Sequence, residues 1–185
     1  GQRARSSRVT IVHRINTRLV AWEPPAWVLD DLVAWAQQDS QLDLQAALLL
    51  HTCRQDTLLY NIARRVVLPR WQGDREPLRS ADVRAFLAGE ERAHPEILAW
   101  SSATRARLAT TSLSIFRDYG LLKGKLSMQV VEPIVSNAVG QHLIRLLRAE
   151  GIGDQEIVHH PDWQLFLWFP SKTQAFISAT PKAST

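Results

Sequence analysis

The sequence predicts a mostly α-helical fold of eight or nine helices carrying one small β-hairpin. Three observations predict it. Apolar residues recur at helical spacing through most of the chain. Capping residues and Pro or Gly punctuate those stretches at ordinary helix lengths. A single strand-like segment, broken by Lys123-Gly124-Lys125, interrupts the pattern.

Taken in order, residues 3–21 read as a helix with Val9, Val12, Ile15, Leu19 and Val20 on one broad side. Thr10, Arg14, Thr17 and Arg18 fall on the other side, either as a solvated face or as a phosphate-contacting one. Pro24-Pro25 stops this helix and Pro25 can start the next, running to about Gln38 with Trp27, Leu32 or Val33, and Trp35 for the core. Asp39 or Ser40 caps a third helix through Leu44, Ala47, Leu48 and His51. Asp56 or Thr57 caps a fourth, expected to end near Leu68-Pro69 and to carry Arg64, Arg65 and Arg70.

Trp71 to Pro77 reads as an internal linker. Ser80 with Asp82 starts a fifth helix, expected to end at Gly89. Pro95 opens a short helix, and Ser101 or Ser102 caps a long one that closes at Gly120. After the hairpin, Ser136 or Asn137 starts a helix with a stripe of Val139, Leu143, Leu146 and Leu147, ended by Gly151. HHPDWQLFLWF follows as a short helix or extended apolar anchor. Three regions result: an N-terminal helical subdomain over 1–72, a helix-turn-helix or winged-helix-like subdomain over 73–169 sharing one core, and a loosely held tail over 170–185.

Composition bounds the function. Hydrophobic residues make up 45% and charged residues 22%, as in ordinary globular proteins. The longest apolar runs, such as Ala46 to Leu50, are far too short to span a bilayer, so a cytoplasmic protein is expected. Cys53 is the only cysteine, which excludes an internal disulfide and favours a buried thiol. Net charge is +4, distributed in blocks. Residues 1–20 hold five Arg and no acid, 21–60 hold six acids and one Arg, and 101–125 hold five bases and one acid. Such alternation suggests one basic face.

Catalytic motifs are not found: no Gly-rich phosphate loop, GxSxG or HExxH occurs. Of six histidines only His159-His160 cluster, a poor metal geometry, and no metal or cofactor is expected. The pairs Asp30-Asp31 and Glu90-Glu91 read as solvated charge rather than as general acid and base. The seven Trp read as core anchors.

The long helix is the most informative stretch. Leu108, Ala109, Leu113, Ile115, Phe116 and Tyr119 share one arc, and Thr104, Arg107, Thr110, Thr111, Ser114 and Asp118 lie opposite. One Arg among small hydroxyls suits close approach to a duplex, although such a face is also an ordinary exposed one. Arg105, at the margin, is equally a bridge to another helix. The nucleic-acid-binding set expected from pattern is Thr104, Arg107, Thr111 and Ser114 on this helix, and Lys123 and Lys125 on the hairpin. Arg14, Arg18, Arg64, Arg65 and Arg70 add phosphate contacts. About five phosphate contacts correspond to a log–log salt slope of −4 to −5.

Trp100-Ser101 with Thr104-Arg105 and Leu108, then Tyr119-Gly120-Leu121-Leu122, resemble the BrxA family of bacteriophage-exclusion (BREX) defence systems. Leu48 to Asp56 with Leu68 is similar to that family's central helices, and Pro161-Asp162-Trp163 with Phe166 to its C-terminal motif. The likeness covers roughly Ser7 to Trp168 and implies an all-helical protein with helix-turn-helix elements in a NusB-like arrangement. It also implies duplex DNA binding without catalysis, beside a methyltransferase, an ATPase and a phosphatase-like component. A further helical segment ahead of Gly1 is implied as well. The alternatives are a protein–protein adaptor that uses the acidic 21–60 region, and RNA binding.

Overall fold

A computed structural model describes residues 19–38 and 40–179. The expected helix over residues 3–21, with Arg14 and Arg18, lies almost wholly outside the described residues. Nine α-helices and one two-stranded antiparallel sheet make up the described chain, so the mostly helical reading holds.

Helices α1 (Ala26–Gln37) and α2 (Gln41–Gln55) pack on each other and on α7 (Asn137–Ala149). Val28, Leu32 and Trp35 are buried on α1, while Val33 is exposed. Asp56 then breaks the chain direction and caps α3 (Thr57–Ile62), its carboxylate accepting from the Leu59 N–H at 3.1 Å.

The expected end near Leu68-Pro69 does not occur. A π-helical turn (Ala63–Val67) follows α3 with helical dihedrals and leads directly into α4 (Leu68–Gln72). Pro69 lacks an N–H and crowds the carbonyl one turn back, and the wider π turn just before it accommodates that misfit.

Past a turn at Gly73, Leu78 pairs with Met128 through N–H to O contacts of 2.7 and 2.9 Å. Helix α5 (Ser80–Glu90) is capped by the Asp82 carboxylate on the Arg79 N–H at 2.7 Å and runs one residue past Gly89. A 3₁₀ turn (Pro95–Ala99) leads to α6 (Ser102–Asp118), and the hairpin is β1 (Leu122–Gly124) with β2 (Met128–Val130).

Gly120 closes α6 at φ 79°. The Leu121 N–H reaches the Phe116 carbonyl at 2.8 Å and the Gly120 N–H reaches that of Arg117 at 3.1 Å, the paired bonds of a Schellman end. Gly120→Ala places a Cβ in this left-handed conformation and should cost about 1 kcal/mol in urea unfolding. An unchanged midpoint would show that the turn relaxes freely.

On α7 the stripe Val139, Leu143, Leu146 and Leu147 is buried as expected, and Ser136 caps its start. A short α8 (Asp154–Ile157) and a 3₁₀ segment (Pro161–Phe166) follow. Residues 170–179, expected as loose tail, form α9 (Pro170–Ala179). The Phe176 ring of α9 lies 6.0 Å from Trp163 and 5.4 Å from Trp168, and this aromatic contact supplies the apolar surface that orders the helix. One core cluster runs from Leu32 to Trp168, across the expected subdomain boundary. Trp35, Trp163 and Trp168 are buried in it, whereas Trp22, Trp27, Trp71 and Trp100 are half-buried.

Candidate nucleic-acid interface

Helix α6 owes its start to Ser101, whose Oγ accepts from the Thr104 N–H at 3.1 Å. Its inner face buries Ala109, Ser112, Leu113 and Phe116 against the core, with α5 as its main neighbour. The turn between α5 and α6 is held by Arg105. That guanidinium donates to the carbonyls of Ile97 at 2.8 Å and Trp100 at 3.2 Å and pairs with Glu91. Arg105 is therefore a structural bridge.

The outer face of α6 carries Thr104, Arg107, Thr110, Thr111 and Asp118 exposed, and Ser114 half-buried. The Thr104 hydroxyl is engaged with Ser101 at 3.0 Å, and the Thr110 hydroxyl donates back to the Ala106 carbonyl at 3.0 Å. Arg107 makes no hydrogen bond or ion pair among the described residues.

The hairpin stands immediately after α6. Leu122, Met128 and Val130 root it in the core, and Lys123, Gly124, Lys125, Leu126 and Ser127 are all exposed. Neither lysine has a partner among the described residues. Arg107, Lys123 and Lys125 are thus full positive charges facing solvent.

The block Arg64, Arg65 and Arg70 is used differently. Arg64 donates to Gln164 at 2.8 Å and lies 5.2 Å from the Tyr60 ring. Arg65 pairs with Glu90 and covers Phe86, while Arg70 meets Asp82 at 3.2 Å and Asp74 at 3.6 Å. These three fasten the α3–α4 rod to its neighbours.

The reading of the paired acids as solvated charge is corrected here. Glu90 and Glu91 each hold an arginine, and Asp31 accepts from His142 Nδ1 at 2.7 Å; Asp30 alone is exposed and unpaired among the described residues. An arginine beside Glu90 and Glu91, and a ring N–H beside Asp31, supply the hydrogen bonds that make each carboxylate worth retaining.

Two further networks escaped the sequence. The first links Asp31 of α1, His142 of α7 and His51 of α2, with the two Nε2 atoms 2.9 Å apart. Since the Asp31 carboxylate takes the His142 Nδ1 proton, His142 Nε2 accepts and His51 Nε2 donates. Burial pushes both histidines below the usual value, His51 to about 3, so each is neutral at pH 7. The one sequence signal was that His51 lies on the apolar side of α2.

The second network centres on buried Asp162, which accepts from Arg54 at 2.6 Å and from the Tyr60 hydroxyl at 2.9 Å while Arg54 also holds Glu150. Burial first, then the adjacent Asp162, pushes the Tyr60 hydroxyl upward, so it stays protonated as a donor. A shallow hollow of about 250 Å³ lies beside it, lined by Cys53, Arg54, Thr57, Tyr60, His160 and Asp162. Cys53 is fully buried, as expected. Among the described residues no group of three or more His, Cys, Asp or Glu is placed to hold a metal ion.

With this geometry in place, comparison decides the family. The BrxA family model matches residues 1–146, most of the chain. The chain belongs to the BrxA family. This BrxA-family protein is accordingly a component of BREX phage defence. The match takes in α5, α6 and the hairpin, whereas the Pro161-Asp162-Trp163 motif lies beyond it. No curated protein and no solved structure matches the chain. No helix among the described residues is long and apolar enough to cross a membrane.

Proposed function

We propose that this BrxA-family protein is a non-catalytic DNA-binding component of BREX, holding duplex DNA in the cytoplasm largely through phosphate contacts. The carrying observation is local: on α6 and the hairpin Arg105 and Arg117 are tied to Glu91 and Asp118, while Arg107, Lys123 and Lys125, like Arg84 and Arg92 nearby, stand unpaired among the described residues. They sit on a strand position, helix, turn, helix and hairpin in the order of a winged helix-turn-helix, with α6 as the helix offered to the major groove. Thr111 and Ser114 lie on the same face as Arg107, close enough in size to the backbone to let a duplex approach. Arg14 and Arg18 would extend the phosphate footprint, and Arg64, Arg65 and Arg70 lend partly neutralised charge to it. The methyltransferase, ATPase and phosphatase-like components of BREX are the protein partners this reading expects.

A salt-titrated duplex-binding assay tests it. Replacing Arg107, Lys123 and Lys125 together by Ala should flatten the log–log salt slope by about 2.7 and weaken binding at every salt concentration. Unchanged affinity and slope in the triple variant would remove this surface from the proposal.

One observation favours an adaptor as the second reading. Leu98 is 62% exposed beside an apolar hollow lined by Leu58, Phe86, Leu87, Ile97 and Trp100. An adaptor would co-purify with BREX components yet show no duplex affinity at physiological salt. RNA binding rests only on the NusB-like arrangement that the family resemblance implies, and a fold does not fix a function.

A further inference from the structure

The apex of the hairpin is apolar. Leu126 is 94% exposed, against 64% for Ile134 and 62% for Leu98, and it lies between Lys125 and Ser127 with Lys123 two residues further back. Isolated exposed leucines are ordinary on protein surfaces. Three features set this one apart.

First, a short loop of defined shape presents it. Gly124 pairs with Met128, closing a three-residue loop of Lys125, Leu126 and Ser127. Gly124 has φ 118°, and a Cβ there would lie 2.5 Å from the Ser127 carbonyl oxygen, so the loop shape requires glycine. Second, the stalk is anchored: Leu122, Met128 and Val130 are buried, and Leu78 bonds to Met128 from the other side. Third, the two lysines beside the apex are unpaired among the described residues. A wing that met only phosphates would have no use for an apolar tip, because phosphate offers it nothing.

We propose that Leu126 is a minor-groove wedge: with α6 in the major groove, the hairpin reaches the adjacent minor groove. There Leu126 leaves water against the base edges or a partly unstacked base step, while Lys123 and Lys125 neutralise the flanking phosphates. This rests on the duplex-binding reading above and deepens it. Apolar side chains inserted this way unstack a step and bend the duplex toward the major groove. The preferred targets are flexible pyrimidine–purine steps, which open most cheaply.

The test uses the full chain with a mixed-sequence duplex that contains several TA steps, carries 2-aminopurine at one of them, and has donor and acceptor dyes at its ends. Parent protein should raise 2-aminopurine fluorescence and shorten the end-to-end distance. Leu126→Ala should weaken binding about ten-fold, the order expected for burying one leucine. It should also abolish both signals and leave the salt slope unchanged. Leu126→Phe should restore them. Because Leu126 touches mainly solvent, both variants should melt at the parent temperature. If the parent binds the duplex and Leu126→Ala matches it in affinity, fluorescence and bend, the wedge is wrong and phosphate binding stands. Loss of binding to anionic phospholipid vesicles or to a co-expressed BREX protein, with duplex binding unchanged, overturns it in favour of that other surface. A parent that binds no duplex at low salt overturns the DNA reading itself.

Discussion

Lowering the pH from 7.5 to 5 should destabilise the fold by about 2 kcal/mol through His51 alone. His51 is fully buried, and burial, then His142 and Arg54, push it down to about 3. In the unfolded chain it titrates near its ordinary value of 6.5. Below that value the unfolded chain takes up a proton that the folded protein refuses, so stability is complete above 6.5 and falls as the pH drops toward 3. His142 and His160 are lowered by burial as well and act in the same direction. Protonating both rings would set two cations at the 2.9 Å contact, and His142 with a proton on Nε2 could no longer accept from His51, which would cost the link between α2 and α7. Urea unfolding at both pH values measures this. His51→Gln, which keeps a donor toward His142 but does not titrate, should show a loss smaller by about 2 kcal/mol. Equal losses in parent and variant would mean that another group governs the acid limb.

Asp162→Ala should cost about 3 kcal/mol, the lower end of the range for breaking a buried ion pair. Asp162 is 3% exposed, and its two oxygens serve Arg54 at 2.6 Å and Tyr60 at 2.9 Å. Removing it leaves the Tyr60 hydroxyl without its acceptor and the largely buried Arg54 guanidinium with Glu150 alone. The low end applies because that second carboxylate survives. Asp162→Asn keeps an acceptor for Tyr60 but removes the charge, so it should lose roughly half as much. These changes lie on the 3₁₀ segment rather than on α6 or the hairpin, and the salt slope of duplex binding should not move. A change of slope with little loss of stability would place Asp162 at the interface and contradict its role as a fastener.

Local chemistry made much of this fold legible. Ser101 before Thr104, Ser136 before Val139 and Asp56 before Leu59 mark helix starts because a cap acts on an N–H three residues away. Gly120 marks a helix end because only glycine takes that left-handed turn freely. The stripe of α7 and the buried arc of α6 follow from helical periodicity, which needs no knowledge of the partner surface. Where the decisive contact spans a greater distance, the pattern was silent or misleading. Helix continuation through Pro69 depends on a π turn that no composition announces. The tail became α9 because Phe176 found the stacked Trp163 and Trp168.

The same division runs through the candidate interface. The helical class, the hairpin and the polar face carrying Arg107 follow from local pattern, since these depend on residues within a turn or two of one another. Tertiary structure alone decided which cations are occupied. Arg65 meets Glu90 across 25 positions and Arg64 meets Gln164 across 100, while His51 and His142 join across 91. A charge is available to a partner only when the fold has left it without one, and that is settled by which distant side chains the packed core brings within reach. By that measure, among the described residues, Arg107, Lys123 and Lys125 stayed without a partner, as did Arg84 and Arg92, and the Arg64–Arg70 block was drawn into holding the fold together.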